Sequence, residues 1–300
     1  MPEDNHSVDN IKKILILGHK GFIGKYLLKF FEKEYPELEI AGIDLPETDL
    51  TKKSDVFKLK EFFDKNTSVI MCSCLKREHG DNIDNFLKNL MMVFNLCRLL
   101  EKNPINTFIY LSSAAVYGED IHNTNITEET SINPTSYYGL AKFSCERLLS
   151  KSISLTPESK LIILRPAVIY GPGDKPCYGP SGFSYSAIKN EKITLWGDGT
   201  EKREFVIIDD LANLINRLLS VPTGAILNIV SGKSSTFKDV LDIISSITSI
   251  DLNITSKKRT KDKVDNIFNN QKIYDLFPDF KFIPLEEGIK KTVDYAKSQN

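Results

Sequence analysis

The sequence is poor in tryptophan (one) and histidine (four), and it lacks charge of either sign in excess: 39 Lys and Arg stand against 40 Asp and Glu, a net of −1. A duplex-DNA binder gains affinity by displacing counterions from phosphates with surplus basic residues. The small cluster Lys257-Lys258-Arg259 does not supply that surplus, so nucleic acid is not an expected partner. No apolar run approaches the roughly 18 residues that a membrane-spanning helix needs. The opening MPEDNHSVDN is polar and acidic, without the apolar stretch of a signal peptide. Five scattered cysteines, an odd number, argue against a secreted disulfide framework and for a reduced, cytoplasmic protein. A metal site is not expected. No His/Cys set in the sequence has ligand spacing. Repeats and low-complexity tracts are also missing.

What remains is an ordinary globular enzyme composition, 41% hydrophobic and 26% charged over 300 residues, enough for one large or two modest domains. After a disordered lead-in over residues 1–10, short apolar strands alternate with helices. The strands are Ile11 to Leu17, Ile40 to Ile43, Val69 to Cys72, Phe108 to Leu111 and Leu161 to Leu164. The helices are Lys25 to Lys33, Asp55 to Asp64, Phe86 to Leu100 and Tyr138 to Leu149. Strands apolar throughout imply a parallel sheet covered on both faces. The expected fold is therefore α/β, a doubly wound Rossmann sheet over residues 11–171. Its ligands bind beyond the carboxyl ends of the strands. From Gly171 the texture changes. A Gly- and Pro-rich loop through Pro176 to Gly182 leads into a smaller α/β lobe, residues 172–300. One strand near Ile226 is expected to return to the main sheet.

Gly18, Gly21 and Gly24 lie between the first strand and its helix. The first permits a tight turn, the second lets backbone approach a pyrophosphate, and the third lets helix and strand pack closely. The phosphate then meets the helix N-terminus, with Phe22 and Ile23 in that first turn. Asp44 ends the next strand, 20 residues after Gly24. An acid there accepts bonds from ribose hydroxyls and repels a 2′-phosphate, favouring NAD over NADP. Lys20, inside the loop, pulls the other way because a cation could meet a 2′-phosphate, so NADP stays open.

Tyr138 and Lys142 are four residues apart, on one helix face. Ser113 ends an earlier strand. An adjacent ammonium stabilises phenolate, so Tyr138 could exchange a hydroxyl proton while hydride moves to a nicotinamide. Ser113 would hold the same oxygen.

With these residues in order, the chain resembles the extended short-chain dehydrogenase/reductase family, in its NAD-dependent nucleotide-sugar epimerase/dehydratase branch. The matching segments are GHKGFIG (Gly18 to Gly24), SSAAVYG (Ser112 to Gly118), YGLAK (Tyr138 to Lys142), RPAVIYGPGD (Arg165 to Asp174), WGDGTEKREFVIIDDLA (Trp196 to Ala212) and LEEGIKKTVDY (Leu285 to Tyr295). The resemblance implies that Ser113, Tyr138 and Lys142 are catalytic and that Asp49 and Leu50 contact adenine. It also implies that Trp196 lies against the nucleotide base while Arg203 and Arg259 hold the diphosphate. Two guanidiniums suit a pyrophosphate through directed, charge-assisted bonds. From the residues alone, the alternatives are Trp196 as core and Arg259 as one more charge in the solvated run Lys257 to Lys263. A homodimer through the two long helices is a further implication.

The chain also departs from its relatives. Ala114-Ala115 replace the Asp-Glu of the 4,6-dehydratases, which argues against elimination of water. Val168 stands where the epimerases often carry asparagine. Cys72-Ser73-Cys74-Leu75 replaces a common His-Leu-Ala-Ala beside the nicotinamide. The expectation is an epimerase acting on a nucleotide-diphosphate sugar through a 4-keto intermediate, with hydride transfer at hexose C4. The alternative is an NAD(P)H-dependent 4-keto-6-deoxy sugar reductase, since GHKG and WGDGTEKREF also resemble the GDP-fucose synthases. Those use a late histidine, and here none follows His122. A non-catalytic dinucleotide-binding regulator is the third reading, against which the complete Ser113, Tyr138 and Lys142 set argues.

Overall fold

The computed structural model describes residues 10–175, 179–259 and 262–299. The expected lead-in before residue 10, and residues 176–178 of the expected long loop, lie outside the described residues. In chain order the elements are β1 (Lys13–Leu17), α1 (Phe22–Glu34), β2 (Glu39–Ile43), α2 (Lys53–Lys58), β3 (Thr67–Met71), α3 (Ile83–Leu100), β4 (Thr107–Leu111), β5 (Asn123–Ile126), α4 (Tyr137–Ile153), β6 (Lys160–Pro166), β7 (Val168–Tyr170), α5 (Gly179–Ile188), β8 (Ile193–Trp196), β9 (Lys202–Arg203), β10 (Phe205–Ile207), α6 (Ile208–Leu219), β11 (Ala225–Ile229), β12 (Ser235–Thr236), α7 (Phe237–Thr248), β13 (Ile254–Lys257), β14 (Asn266–Phe268), α8 (Gln271–Leu276) and α9 (Leu285–Ser298).

Two compact units interleave along the chain. One comprises Met1–Gly118, Ile132–Arg165 and Ala212–Leu227; the other comprises Glu119–Ser131, Pro166–Leu211 and Asn228–Asn300. The main sheet is six-stranded and parallel, in the order β11-β6-β4-β3-β1-β2. The strand near Ile226 is thus the sixth member of this Rossmann sheet. β1 pairs with β2 on one side and β3 on the other, so the order reverses at β1. A doubly wound sheet opens its ligand crevice at such a reversal.

The strands are legible because both faces are covered: β3 and β4 are buried at every position. Leu15, Leu17, Val69, Met71, Phe108 and Tyr110 all point to one face. There they meet Val56 and Leu59, Met92, Val93 and Leu96 of α3, and Cys145 and Leu149 of α4. At about 25 cal/mol per Å² of apolar surface, such burial is the dominant stabilising contribution.

Helix ends follow local chemistry. Asn82 caps α3 by accepting from Asn85 N–H at 3.0 Å, and Ser136 caps α4 by accepting from Gly139 N–H at 3.1 Å. The helix expected over Asp55 to Asp64 is instead α2 followed by a 3-10 turn, Leu59–Phe62. Gly179 to Gly182 open α5 rather than ending a loop, and all four are buried. Proline is accommodated in the first turn of a helix, and α5 packs against α7 and α9, where small residues allow close approach.

The second unit holds a buried acid, Asp210, whose Oδ2 accepts from Ile283 N–H at 3.0 Å. Burial pushes its carboxyl up to about 7, with neighbouring Asp209 and Glu287 adding to the rise against the Ile283 bond and Lys291. Its folded value lies above its unfolded value of about 3.9. The linked stability is therefore complete below about pH 4 and is lost as pH rises through 7. Asp210→Asn should melt like the parent at pH 4 and gain about 1–3 kcal/mol at pH 8, measured by calorimetry at both pH values. A variant less stable than the parent at pH 8 would contradict this account.

Candidate active site

The turn after β1 is built for close backbone approach. Gly18 has φ +88°, and a Cβ there would lie 2.7 Å from Ser73 N, so the loops after β1 and β3 touch at the sheet's reversal point. A Cβ on Gly24 would run into the Gly18 carbonyl, whereas at Gly21 the nearest atom, Gly18 O, is 3.4 Å away. Gly21 N–H closes the turn onto Gly18 O at 3.2 Å. Phe22 and Ile23 follow as the first residues of α1, whose first turn carries no acidic residue. The first amides of a helix have no intrahelical acceptor, so this end presents donors and a positive pole. The cradle fits the pyrophosphate of a dinucleotide.

Asp44 is partly buried where β2 ends. Its Oδ2 accepts from Lys20 N–H at 2.9 Å and its Oδ1 from Leu45 N–H at 2.8 Å. Lys20 does not extend freely: its ammonium donates to Leu45 O and Glu47 Oε2, both at 2.7 Å. The Lys20 bond lowers the Glu47 carboxyl below the usual carboxylate range. Asp49 turns its Oδ1 to Thr51, accepting from Oγ1 at 2.7 Å and N at 2.9 Å. Leu50 is buried in the core beneath α3, and its carbonyl accepts from Asn95 at 3.0 Å.

Beyond β3, Cys72 to Leu75 run as loop. Asn89 of α3, 6% exposed, clamps this loop from both sides: its Oδ1 accepts from Leu75 N–H at 2.7 Å, and its Nδ2 donates to Leu75 O at 3.0 Å. Burial pushes the Cys72 thiol far up, so Cys72 is a poor nucleophile.

Ser113 heads a 3-10 turn, Ala114–Tyr117, and its Oγ accepts from Ala115 N–H at 3.1 Å. Gly139 is needed opposite, because a Cβ there would come within 2.6 Å of Ala115 O. The first turn of α4, with Tyr138, thus packs directly on the turn that Ser113 opens. Tyr138 N–H donates to Asp81 Oδ1 at 3.0 Å. Lys142 is only 4% exposed. Its Nζ donates to Leu111 O at 2.6 Å and lies 5.7 Å from the Tyr138 ring centroid. Burial alone would lower its pKa, but Cys74, Tyr138, Cys145 and Cys72 together raise it. Lys142 therefore stays an ammonium beside Tyr138, the charge state that favours phenolate.

The second unit carries the other expected residues. Trp196 is 55% exposed rather than core, with Lys257 Nζ 5.8 Å from its ring. Arg259 is ion-paired with Asp198 at 3.1 Å and with Glu201, so it is not a loose charge in a solvated run. Bonds from Thr200, then from Arg259, hold Asp198 down at about 2. Arg203 Nη1 donates to the carbonyls of Lys202 at 2.8 Å and Val264 at 2.7 Å.

Several residues were passed over in the sequence: Glu47, Asn89, Ser112, Tyr117, Glu146 and Arg165. Glu146 carries a spacing signal, being four residues after Lys142 and hence on the same face, while Ser112, Tyr117 and Arg165 lie inside matching segments without a role of their own. The others act through partners distant in sequence.

The chain is similar to known proteins along nearly its whole length. A protein of Methanocaldococcus jannaschii provisionally named a UDP-glucose 4-epimerase is 26% identical over 314 residues, covering 96% of this chain and 99% of its own. The UDP-glucose 4-epimerase of Thermus thermophilus, solved with NAD, superposes with a TM-score of 0.82 at 23% identity, over 95% of this chain and 99% of that one. RMD from Pseudomonas aeruginosa, solved with NADPH, gives 0.83 at 21% identity, over 97% and 99%. At such identities the two structures speak for the fold. The glycine cradle at the reversal of the sheet, the acid closing β2 and the lysine held under Tyr138 all fall within residues 14–229, which match the NAD dependent epimerase/dehydratase family, and the chain belongs to that family.

Proposed function

We propose that the protein is a nucleotide-sugar epimerase that works through a 4-keto intermediate at hexose C4. The observation that carries this reading is the buried Lys142 ammonium, tied to Leu111 O and facing the Tyr138 ring. In this reading Tyr138, as phenolate, accepts the proton of the sugar hydroxyl and later returns it. Ser113 donates a hydrogen bond to the same oxygen. Lys142 holds the phenolate's charge throughout. NAD, when bound, supplies the hydride acceptor. Gly18, Gly21, Phe22, Ile23 and Gly24 would hold its pyrophosphate, Asp44 its ribose, and Asp49 and Leu50 its adenine. General acid–base catalysis of this kind is worth about 10²–10⁴-fold.

The second unit is assigned to the nucleotide sugar, with exposed Trp196 available to a base and Arg203 and Arg259 to the diphosphate. Binding would require the phosphates to compete with Glu201 and Asp198 for Arg259. The dinucleotide unit is assigned to the parallel sheet. Ala114 and Ala115 offer no acid or base for dehydration. The four described cysteines are free thiols, which suits a cytoplasmic protein. Among the described residues, no helix is long and apolar enough to cross a membrane.

The test is direct: purified protein, with any carried-over dinucleotide recorded, is incubated with UDP-glucose. Epimer formed without added cofactor is the expected result. Turnover only of a 4-keto-6-deoxy sugar with added NAD(P)H would replace this reading with that of a reductase.

NAD is the assigned cofactor because Glu47 and Leu45 O occupy the Lys20 cation that a 2′-phosphate would need. Freeing it with Glu47→Gln should raise NADP affinity relative to NAD by about 2–5-fold, the scale of one exposed ion pair, read by titration calorimetry. An unchanged ratio would remove Lys20 from cofactor choice.

A homodimer is proposed from an apolar stripe. Ile83, Leu87, Met91 and Phe94 of α3 are 42–52% exposed, at helical spacing, with Tyr137 and Leu140 exposed on α4. Faces of this kind mark interaction sites. Sedimentation should give twice the chain mass, and Leu87→Glu with Phe94→Glu should give the monomer.

A further inference from the structure

Two turns beyond Tyr138 on α4, Glu146 is 2% exposed and meets Arg165 of β6, which is 4% exposed. The pair is bidentate: Nη2 donates to Oε2 at 2.7 Å and Nε to Oε1 at 3.0 Å. Oε1 also accepts from Ser112 Oγ at 2.5 Å. Arg165 Nη1 donates to Tyr117 Oη at 2.8 Å, and its guanidinium lies 5.1 Å from that ring's centroid. One buried pair therefore gathers α4, the end of β4, the end of β6 and the last residue of the 3-10 turn.

Stability alone does not account for it. Desolvating two charges is costly, and a well-packed apolar pair of similar volume often serves stability as well or better. The placement supplies the reason. Ser113 is bracketed by Ser112 and Tyr117, both held by the pair. Leu111 and Ser112 are tied to successive turns of α4, the first by Lys142 and the second by Glu146. That double tie sets the register of the β4 end against the helix and brings Ser113 opposite the turn that carries Tyr138.

The charges also cancel. Glu146 is roughly 12 Å along the helix from Tyr138, at about 1.5 Å per residue. Unpaired, its carboxylate would oppose phenolate there. The titratable groups around Tyr138 and Lys142 are otherwise Cys72, Cys74, Cys145 and Tyr110, with Asp81 at the Tyr138 amide.

We propose that the Glu146–Arg165 pair is a positioning element for Ser113, Tyr138 and Lys142: it holds the β4 end in register with α4 and keeps the charge behind Lys142 neutral. The inference rests on the catalytic reading above.

Two variants separate its parts. Glu146→Gln keeps an acceptor for Ser112 but removes the carboxylate, while Arg165 stays protonated. The Tyr138 phenolate absorbance, taken as parent minus Tyr138→Phe, should move to lower pH by about 0.5–1 unit, together with the acid limb of kcat. The double variant Glu146→Leu with Arg165→Met removes the tether but leaves no net charge. With UDP-glucose as probe, its kcat should fall about 10–100-fold at an unmoved pH limb, with KM and NAD affinity within about 2-fold. Full kcat in a double variant that melts like the parent, or an unmoved phenolate titration in Glu146→Gln, overturns the proposal. Should the double variant not fold, Ser112→Ala leaves the ion pair intact and should lower kcat about 3–10-fold; unchanged kcat there overturns it equally. A parent protein inactive on every nucleotide sugar would count against the catalytic reading, while the phenolate titration would still test the charge balance.

Discussion

Tyr138→Phe should retain dinucleotide binding and lose about 10²–10⁴-fold in kcat, the range for removing a positioned general acid–base group. Several structural facts make this the sharpest test of the catalytic assignment. Tyr138 is partly buried in the first turn of α4, and Gly139 brings that turn onto the Ala115 carbonyl. Its backbone N–H already has Asp81 as acceptor, so the substitution leaves the helix start satisfied. Phenylalanine fills nearly the same volume, so packing should change little. The loss should therefore appear in kcat, with KM and the melting temperature close to the parent's. Lys142→Met should behave differently. It removes both the charge beside the phenol and the tie to Leu111 O, so it should shift the acid limb of any residual activity upward in pH. Tyr138→Phe at full activity would end both the epimerase and the reductase mechanisms.

The main sheet was readable because β1, β3, β4 and β6 are near-continuous apolar runs, which only a sheet covered on both faces makes favourable. The small pairings were not. β13 offers one apolar residue, Ile254, and that residue is 43% exposed. β5, Asn-Thr-Asn-Ile, has the composition of a turn, yet it pairs with β14. Such strands exist because a distant segment supplies their hydrogen bonds, and no local periodicity reports that. The opening of α5 was hidden for a related reason: Gly179, Pro180 and Gly182 read as loop formers, but tight packing against α7 and α9 turns small side chains into an advantage.

In the candidate site, the glycines stand out by their spacing along one loop, Tyr138 and Lys142 by theirs along one helix, and Asp44 and Ser113 by closing apolar strands. Glu146 and Arg165 do not stand out as a pair, since a charged residue in a helix or strand defaults to solvent. Only the meeting of α4 with β6 turns both inward. Arg259 shows the same limit. Its neighbours in sequence are other cations, while its partners Asp198 and Glu201 lie about sixty residues earlier in the chain.

Two glycines of the β1–α1 turn should fail in different ways, and that difference tests where the dinucleotide sits. In Gly24→Ala the new Cβ would meet the backbone of Gly18 and, at 2.8 Å, the Cα of His19. Neither is the far end of a flexible side chain, so α1 must move away from β1. The expected result is a loss of about 1–3 kcal/mol in stability without ligand, together with a fall of about 10²-fold or more in NAD affinity, because the displaced helix carries its amide donors with it. Gly21→Ala should leave the ligand-free melting temperature unchanged. Gly21 has φ −72°, open to any residue, and its would-be Cβ finds only Gly18 O at 3.4 Å. On the proposed placement of NAD, that methyl takes the space through which the pyrophosphate would approach the backbone. The rise in melting temperature that NAD gives the parent, set by its concentration relative to Kd, should largely vanish in both variants. Measuring both with and without NAD decides the matter. Full NAD stabilisation of Gly21→Ala would move the pyrophosphate away from this turn, whatever Gly24→Ala does to the fold.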